Sequence, residues 1–129
     1  MGVWGSGNLD SDGTLDIVGE RSDELIERLW TAIKDTYSAE ADESAHDELF
    51  VDLEWLFALE AGGCFNGWKL PAVSELEPVL EAWLAHWSGY FDGLSGPEFK
   101  AERRAVIEQT FERLRVICAE YERQRAEIS

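Results

Sequence analysis

Four stretches of this chain repeat apolar residues every three to four positions, and each is bracketed by residues that start or stop helices. In the first, Leu25, Ile26, Leu29, Ile33 and Tyr37 share one face. Ser22 precedes them as an N-cap, with Asp23 and Glu24 at the positive end of the helix dipole. The second runs from about Ser44 to Ala61 and meets Gly62-Gly63, a C-terminal stop. The third starts near Ser74 or Pro78, because proline fits only a first turn. It carries Leu80, Trp83, Leu84, Trp87 and Phe91, and breaks between Gly89 and Gly96. Ser95, Pro97 and Glu98 make a capping box ahead of the fourth, which runs to about Arg125.

Phe99, Val106, Ile107, Phe111, Leu114, Cys118 and Tyr121 form the stripe of that last helix. Arg104–Glu108, Glu112–Arg115, Glu120–Arg123 and Glu122–Arg125 set opposite charges at helical spacing on its outer side. No alternating pattern supports a strand. The expected architecture is all-α: one domain of about four main helices in a bundle-like array over residues 22–125, behind an irregular Gly-rich clasp over residues 1–21. Within the clasp, Thr14 to Val18 read as a short turn of helix weakened by Gly19.

With 129 residues, 45% of them hydrophobic, the chain has the length and apolar content for one core without a metal or disulfide staple. Cys64 and Cys118 form no Cys-x-x-Cys pair and read as buried or half-buried free thiols of a reducing compartment. No charged, apolar-cored leader opens the sequence and no apolar run is long enough to span a bilayer, so the expected location is cytoplasmic.

Charge narrows the partners. The chain has 27 acidic and 11 basic residues, a net charge of −16. Sixteen of the acids, against three bases, lie in residues 1–60. Phosphate contacts need the opposite sign, so neither nucleic acid nor an anionic membrane is expected as a partner. A basic protein is, unless the acids serve solubility alone.

Two patterns invite a metal reading. Asn8, Asp10, Asp12 and Asp16, with Gly13 and Leu15, match the front of an EF-hand calcium loop. Position 12 of that loop is Gly19 where a bidentate Glu belongs, and only seven residues precede it, so Asx turns capping a helix are the expected role. Glu43 and His46 form one Glu-x-x-His, whereas di-iron bundles need two, and position 83, three before His86, is Trp. The expected role is a surface hydrogen bond, with His86 as a core-edge histidine. No nucleophile elbow, P-loop or dinucleotide fingerprint is present. No catalytic residue, metal ligand or cofactor is assigned.

The second helix is apolar on two sides: Leu49, Phe50, Leu53, Leu56 and Phe57 on one, and Val51, Trp55, Ala58 and Leu59 on the other. Such a helix belongs at the centre of a bundle or in an interface, and the centre is the expected place. Trp55 sits among Asp47, Glu48, Asp52 and Glu54. An aromatic ringed by acids suits the anchor of a basic partner, the alternative being packing against a neighbouring helix.

The opening Met1-Gly2-Val3-Trp4-Gly5-Ser6-Gly7-Asn8-Leu9-Asp10-Ser11-Asp12, followed by Leu15-Asp16, resembles the start of bacterial proteins of the domain of unknown function 4259 family. The likeness covers about the first twenty residues. It implies a bacterial, intracellular helical domain and brings no activity or catalytic residue. Trp4 is expected to tuck into the bundle while the glycines let the backbone pass closely around it.

The functional expectation is an acidic protein-binding module, an immunity-type or antitoxin-type inhibitor of a basic enzyme. Asp42, Glu43, Asp47, Glu48, Asp52 and Glu54 would face the partner's cationic groove, with Trp55 as the apolar anchor. Two alternatives stand beside it: a metal-binding or catalytic helical protein, and a self-associating structural protein whose second helix makes a homodimer.

Overall fold

A computed structural model describes residues 2–90 and 96–128. Four helices account for most of it: α1 (Asp12–Lys34), α2 (Ser44–Ala61), α3 (Val73–Tyr90) and α4 (Pro97–Ile128), with a 3₁₀ turn at Thr36–Ala39 between the first two. The all-α, four-helix array is the one the apolar periodicity predicts. Phe91 and Ser95, assigned above to a helical stripe and a capping box, lie outside the described residues.

The N-terminus departs from expectation. Ser22 does not cap α1; it is buried in mid-helix, where its Oγ accepts from the Asn66 N–H at 3.0 Å. The cap is Ser11, whose Oγ accepts from Thr14 N at 3.2 Å, and the helix then passes through Gly19 without a break. A mid-helix glycine costs about 1 kcal/mol relative to alanine. Continuous burial of Ser22, Leu25, Ile26, Leu29 and Ile33 against the rest of the bundle outweighs that. The boundary drawn at residue 21 therefore falls inside one helix. Tyr37 lies beyond its end and is exposed.

The 3₁₀ turn is central rather than a solvated connector. Ser38 and Ala39 are fully buried. Ser38 Oγ lies 2.5 Å from the Ala32 carbonyl and 2.8 Å from that of Asp35, and it accepts from Trp83 Nε1 at 2.8 Å. A single hydroxyl thus closes the end of α1 and fixes one of the two buried tryptophans of α3. Around Trp83 the core is aromatic: Phe111 meets it edge-on at 5.2 Å and Phe50 at 5.6 Å. Such pairs add about 0.5–1.5 kcal/mol each to area burial.

The chain between α2 and α3 closes the far end. Tyr121 Oη lies 2.7 Å from Glu60 Oε2, its ring edge-on to Phe65. Gly67 is required there, since a Cβ would stand 2.6 Å from the Tyr121 ring. Arg125 donates to the Trp68 carbonyl at 2.8 Å, and Glu122 accepts from Val73 N at 3.3 Å. Of the foreseen charge pairs of α4, Arg104–Glu108, Arg115–Glu112 and Arg123–Glu120 form. Pro78 stands in the second turn of α3, not the first.

The glycine-rich opening folds back on the start of α1. Gly2 and Gly7 N–H groups donate to the carboxylates of Asp12 and Asp10 at 3.1 and 2.9 Å. A Cβ at Gly2, Gly5 or Gly7 would meet one of those carboxylates within 2.6 Å. The glycines make room for aspartates, not for an indole: Trp4 is 56% exposed and does not enter the bundle.

Candidate functional site

The second helix is not central. Its inward side buries Leu49, Leu53, Leu56 and Phe57, and its second apolar side faces outward. Trp55 is 61% exposed, Val51 50% and Leu59 37%, with Ala58 exposed between them. Among the described residues, no neighbouring element buries this stripe. Trp55 is therefore mostly in solvent rather than buried against another described helix.

Acids flank the stripe. Asp47 and Glu48 are exposed one turn before Val51, and Glu54 is exposed beside Trp55. Two hollows lie on either side of the ridge. One, of about 450 Å³, is lined by His46, Asp47, Phe50, Val51, Glu54, Trp55 and Arg103. The other, of about 380 Å³, is lined by Arg28, Asp47, Glu48, Val51 and Asp52.

Asp52 stands apart from the exposed acids of α2. It is 9% exposed and bound by Arg28 through Nε–Oδ2 at 2.9 Å and Nη2–Oδ1 at 3.0 Å. That hydrogen bond raises the Arg28 pKa, with burial opposing and the charges of Asp52, Glu24 and Glu48 adding to it. Asp52 thus spends its charge inside the fold. The spacing that put it with the other acids ignored the fact that it follows Leu49 at three residues, on the inward side.

Asp42 and Glu43 also leave the group. They sit before the first turn of α2, where one carboxylate oxygen each from Glu40, Asp42 and Glu43 lie within 4.8 Å of one another. Tyr90 Oη donates to Asp42 Oδ1 at 2.7 Å, which pushes the phenol up to about 12. His86 Nε2 stands 3.4 Å from Glu40 Oε2, its ring stacked on Tyr90 at 6.4 Å. This acidic knot ties α2 to the end of α3. Of the seven foreseen residues, Asp47, Glu48, Glu54 and Trp55 lie exposed on α2 itself, while Asp42 and Glu43 precede it.

The metal patterns do not converge. From Asp12 onward the calcium-like segment is helix, and the Asp10 and Asp12 carboxylates hold the clasp's own N–H groups. His46 is no surface partner of Glu43. Its ring is buried against Phe50 at 5.0 Å and Trp83 at 5.8 Å, and Nδ1 has no hydrogen-bond partner among the described residues. Burial lowers its pKa, the Arg103 charge adding to the effect against Asp47 and the Ser38 backbone.

Arg103 is the residue that spacing did not foresee. Its guanidinium lies 4.6 Å over the Phe50 ring, half-buried, with no ion pair among the described residues. Burial lowers its pKa, opposed by Asp47. It floors one hollow with a cation held on an aromatic face, worth about 0.5–1 kcal/mol at a partly exposed site. Only the position of α4 across α2 brings it there, and no local pattern of residues 97–110 signals it.

No family model matches the chain, and neither a curated protein nor a solved structure matches it. No described helix is long and apolar enough to cross a membrane.

Proposed function

We propose that this chain is an acidic protein-binding module that docks a basic partner on the outer face of α2 and blocks it, in the manner of an immunity-type inhibitor. One observation carries the reading: a helix in the middle of the sequence exposes Val51, Trp55, Ala58 and Leu59 in a continuous row with Asp47, Glu48 and Glu54 along it. Scattered exposed apolar residues are ordinary, but an apolar row flanked by three acids, with Arg28 held by Asp52 and Arg103 on the Phe50 ring, is the pattern of an interaction surface. The rim adds association rate and selects against anionic partners. A chain of net charge −16 strengthens both effects at low ionic strength.

The test is affinity capture from the native host at low salt, followed by an activity assay of what is captured. The expected result is one basic enzyme, bound stoichiometrically, inhibited in the complex and released by salt. Trp55→Ala and Asp47→Lys, both at exposed positions, are expected to abolish capture without changing the melting temperature. Capture and inhibition that survive both substitutions would place the partner elsewhere and end this reading.

A further inference from the structure

The docking face has a period and a length, and both say what fits it. From Asp47 to Leu59 the exposed residues, 47, 48, 51, 54, 55, 58 and 59, repeat with each turn, so they form one face about 18 Å long at the rise of an α-helix. The row is a ridge, because the two hollows of about 450 and 380 Å³ lie on its two sides and share Asp47 and Val51. A second helix laid along such a ridge sets its own side chains into the hollows at the same spacing. An extended segment repeats on one side every two residues, about 6.6 Å, and drifts out of step with a row that repeats every turn.

Charge divides the row into zones. Asp47, with Glu48 beside it, lies at one end, and Glu54 follows seven residues later, about 10 Å along the axis. Val51 stands between them, and Trp55 stands beside Glu54. Complementing this order requires cations about 10 Å apart with apolar groups between. On a helix, two Lys or Arg at positions i and i+7 with apolar residues at i+3 and i+4 supply it on one face.

A second copy of this chain paired about a two-fold axis near Val51 does not. Pairing two α2 ridges about a two-fold axis near Val51 sets Asp47 and Glu48 of one copy beside Glu54 of the other, at both ends. The like charges oppose such a dimer.

Resting on the docking reading above, we propose that the element received by the α2 ridge is a single basic amphipathic helix of another protein. It carries two Lys or Arg seven residues apart, which meet Asp47 and Glu54, and apolar side chains between them that cover Val51 and reach toward Trp55 beside Glu54.

The probe is a labelled synthetic peptide helix with Lys at i and i+7, Leu at i+3 and i+4, and Ala and Gln elsewhere. Its control has the same composition, scrambled so that Lys and Leu no longer share a face. Fluorescence anisotropy at low salt reads affinity, and circular dichroism reads helix gained on binding. The patterned peptide is expected to bind at least about tenfold more tightly than the scrambled one and to gain helix. Trp55→Ala is expected to weaken it by about tenfold or more, as an interface anchor does. The paired change Asp47→Lys with Glu54→Lys is expected to abolish binding, and a peptide with Glu at i and i+7 to restore it.

Equal binding of patterned and scrambled peptides overturns the inference, as does tight binding without gain of helix. The outcomes separate the two levels. If capture of a basic enzyme depends on Trp55 and Asp47 but the patterned peptide is not bound, the helical element is wrong and the docking reading stands. If neither depends on those residues, both fall. Light scattering that finds a dimer of the chain dispersed by Trp55→Ala makes the occupant a second copy and overturns the inference too.

Discussion

The Arg28 guanidinium and the Asp52 carboxylate meet in two parallel hydrogen bonds, at 2.9 and 3.0 Å, which tie α1 to α2. The arginine end is in water, its side chain 57% exposed, while the aspartate is 13% exposed. Exposure screens the Coulomb attraction, so the pair itself contributes only about 0.5–1 kcal/mol. Removing Arg28 costs more than removing Asp52, because it strands a mostly desolvated carboxylate. Arg28→Ala is therefore expected to lower stability by about 1–2 kcal/mol and Asp52→Ala by about 1 kcal/mol. Chemical denaturation of the two variants and the double variant checks it. A double variant whose loss equals the sum of the single losses would show that the two residues are not coupled.

Ser38 carries a larger share for its size. Its hydroxyl is the acceptor for the buried Trp83 N–H at 2.8 Å. Ser38→Ala leaves that donor in the core without a partner, which costs about 1–3 kcal/mol. For a domain of 129 residues this is a fall in melting temperature of roughly 4–12 °C. Ser38→Cys, which keeps a weak acceptor in place, is expected to lose less. A melting temperature unchanged in Ser38→Ala would mean that the indole finds another acceptor.

How much of this was legible in sequence depends on what each residue answers to. Leu25, Leu29, Leu53, Leu80 and Phe111 answer to helical period alone, and all are buried as the spacing predicts. Trp55 was legible as a feature but not as a position. Two apolar sides of one helix can mean centre or interface, and only the arrangement of the other helices decides. Ser22 had the chemistry of a cap, yet a stronger cap at Ser11 and a continuous buried row made it an interior residue. Asp52 and Arg103 depend on partners 24 residues away and on another helix, which no local pattern encodes. Trp4 stays outside because the glycines around it give clearance to Asp10 and Asp12, a role that their sequence pattern does not distinguish from clearance for the ring.

His46 makes stability depend on pH. Burial holds its pKa below the ordinary 6.5, so between 6.5 and the lowered value the unfolded chain binds a proton that the native chain does not. Stability then rises with pH across that window and is lost as the pH falls through it. His46→Phe removes the titration and leaves an apolar ring against Phe50 and Trp83. Melting temperatures taken from about pH 7 to about pH 5 are expected to fall more steeply for the native chain than for His46→Phe, the carboxylates being common to both. Parallel curves would show that His46 titrates alike folded and unfolded.

The two thiols sit in different surroundings and are expected to react differently. Cys118 is fully buried in the stripe of α4, and burial pushes its thiol up to about 12, with Arg125 opposing and Glu122 adding. The thiolate is the reactive form, so Cys118 is closed to reagents both by access and by protonation. Cys64 is half-buried after the Gly62-Gly63 stop, its Sγ 3.6 Å from the Gly62 carbonyl. A thiol-reactive dye is expected to modify one cysteine in the native protein and both in denaturant, with Cys118 slower by roughly ten- to a hundredfold. Cys64→Ser is expected to remove the native reaction. Two thiols reacting at equal rates in the native protein would show that the core around Ile107, Phe111, Leu114 and Cys118 opens on the timescale of labelling.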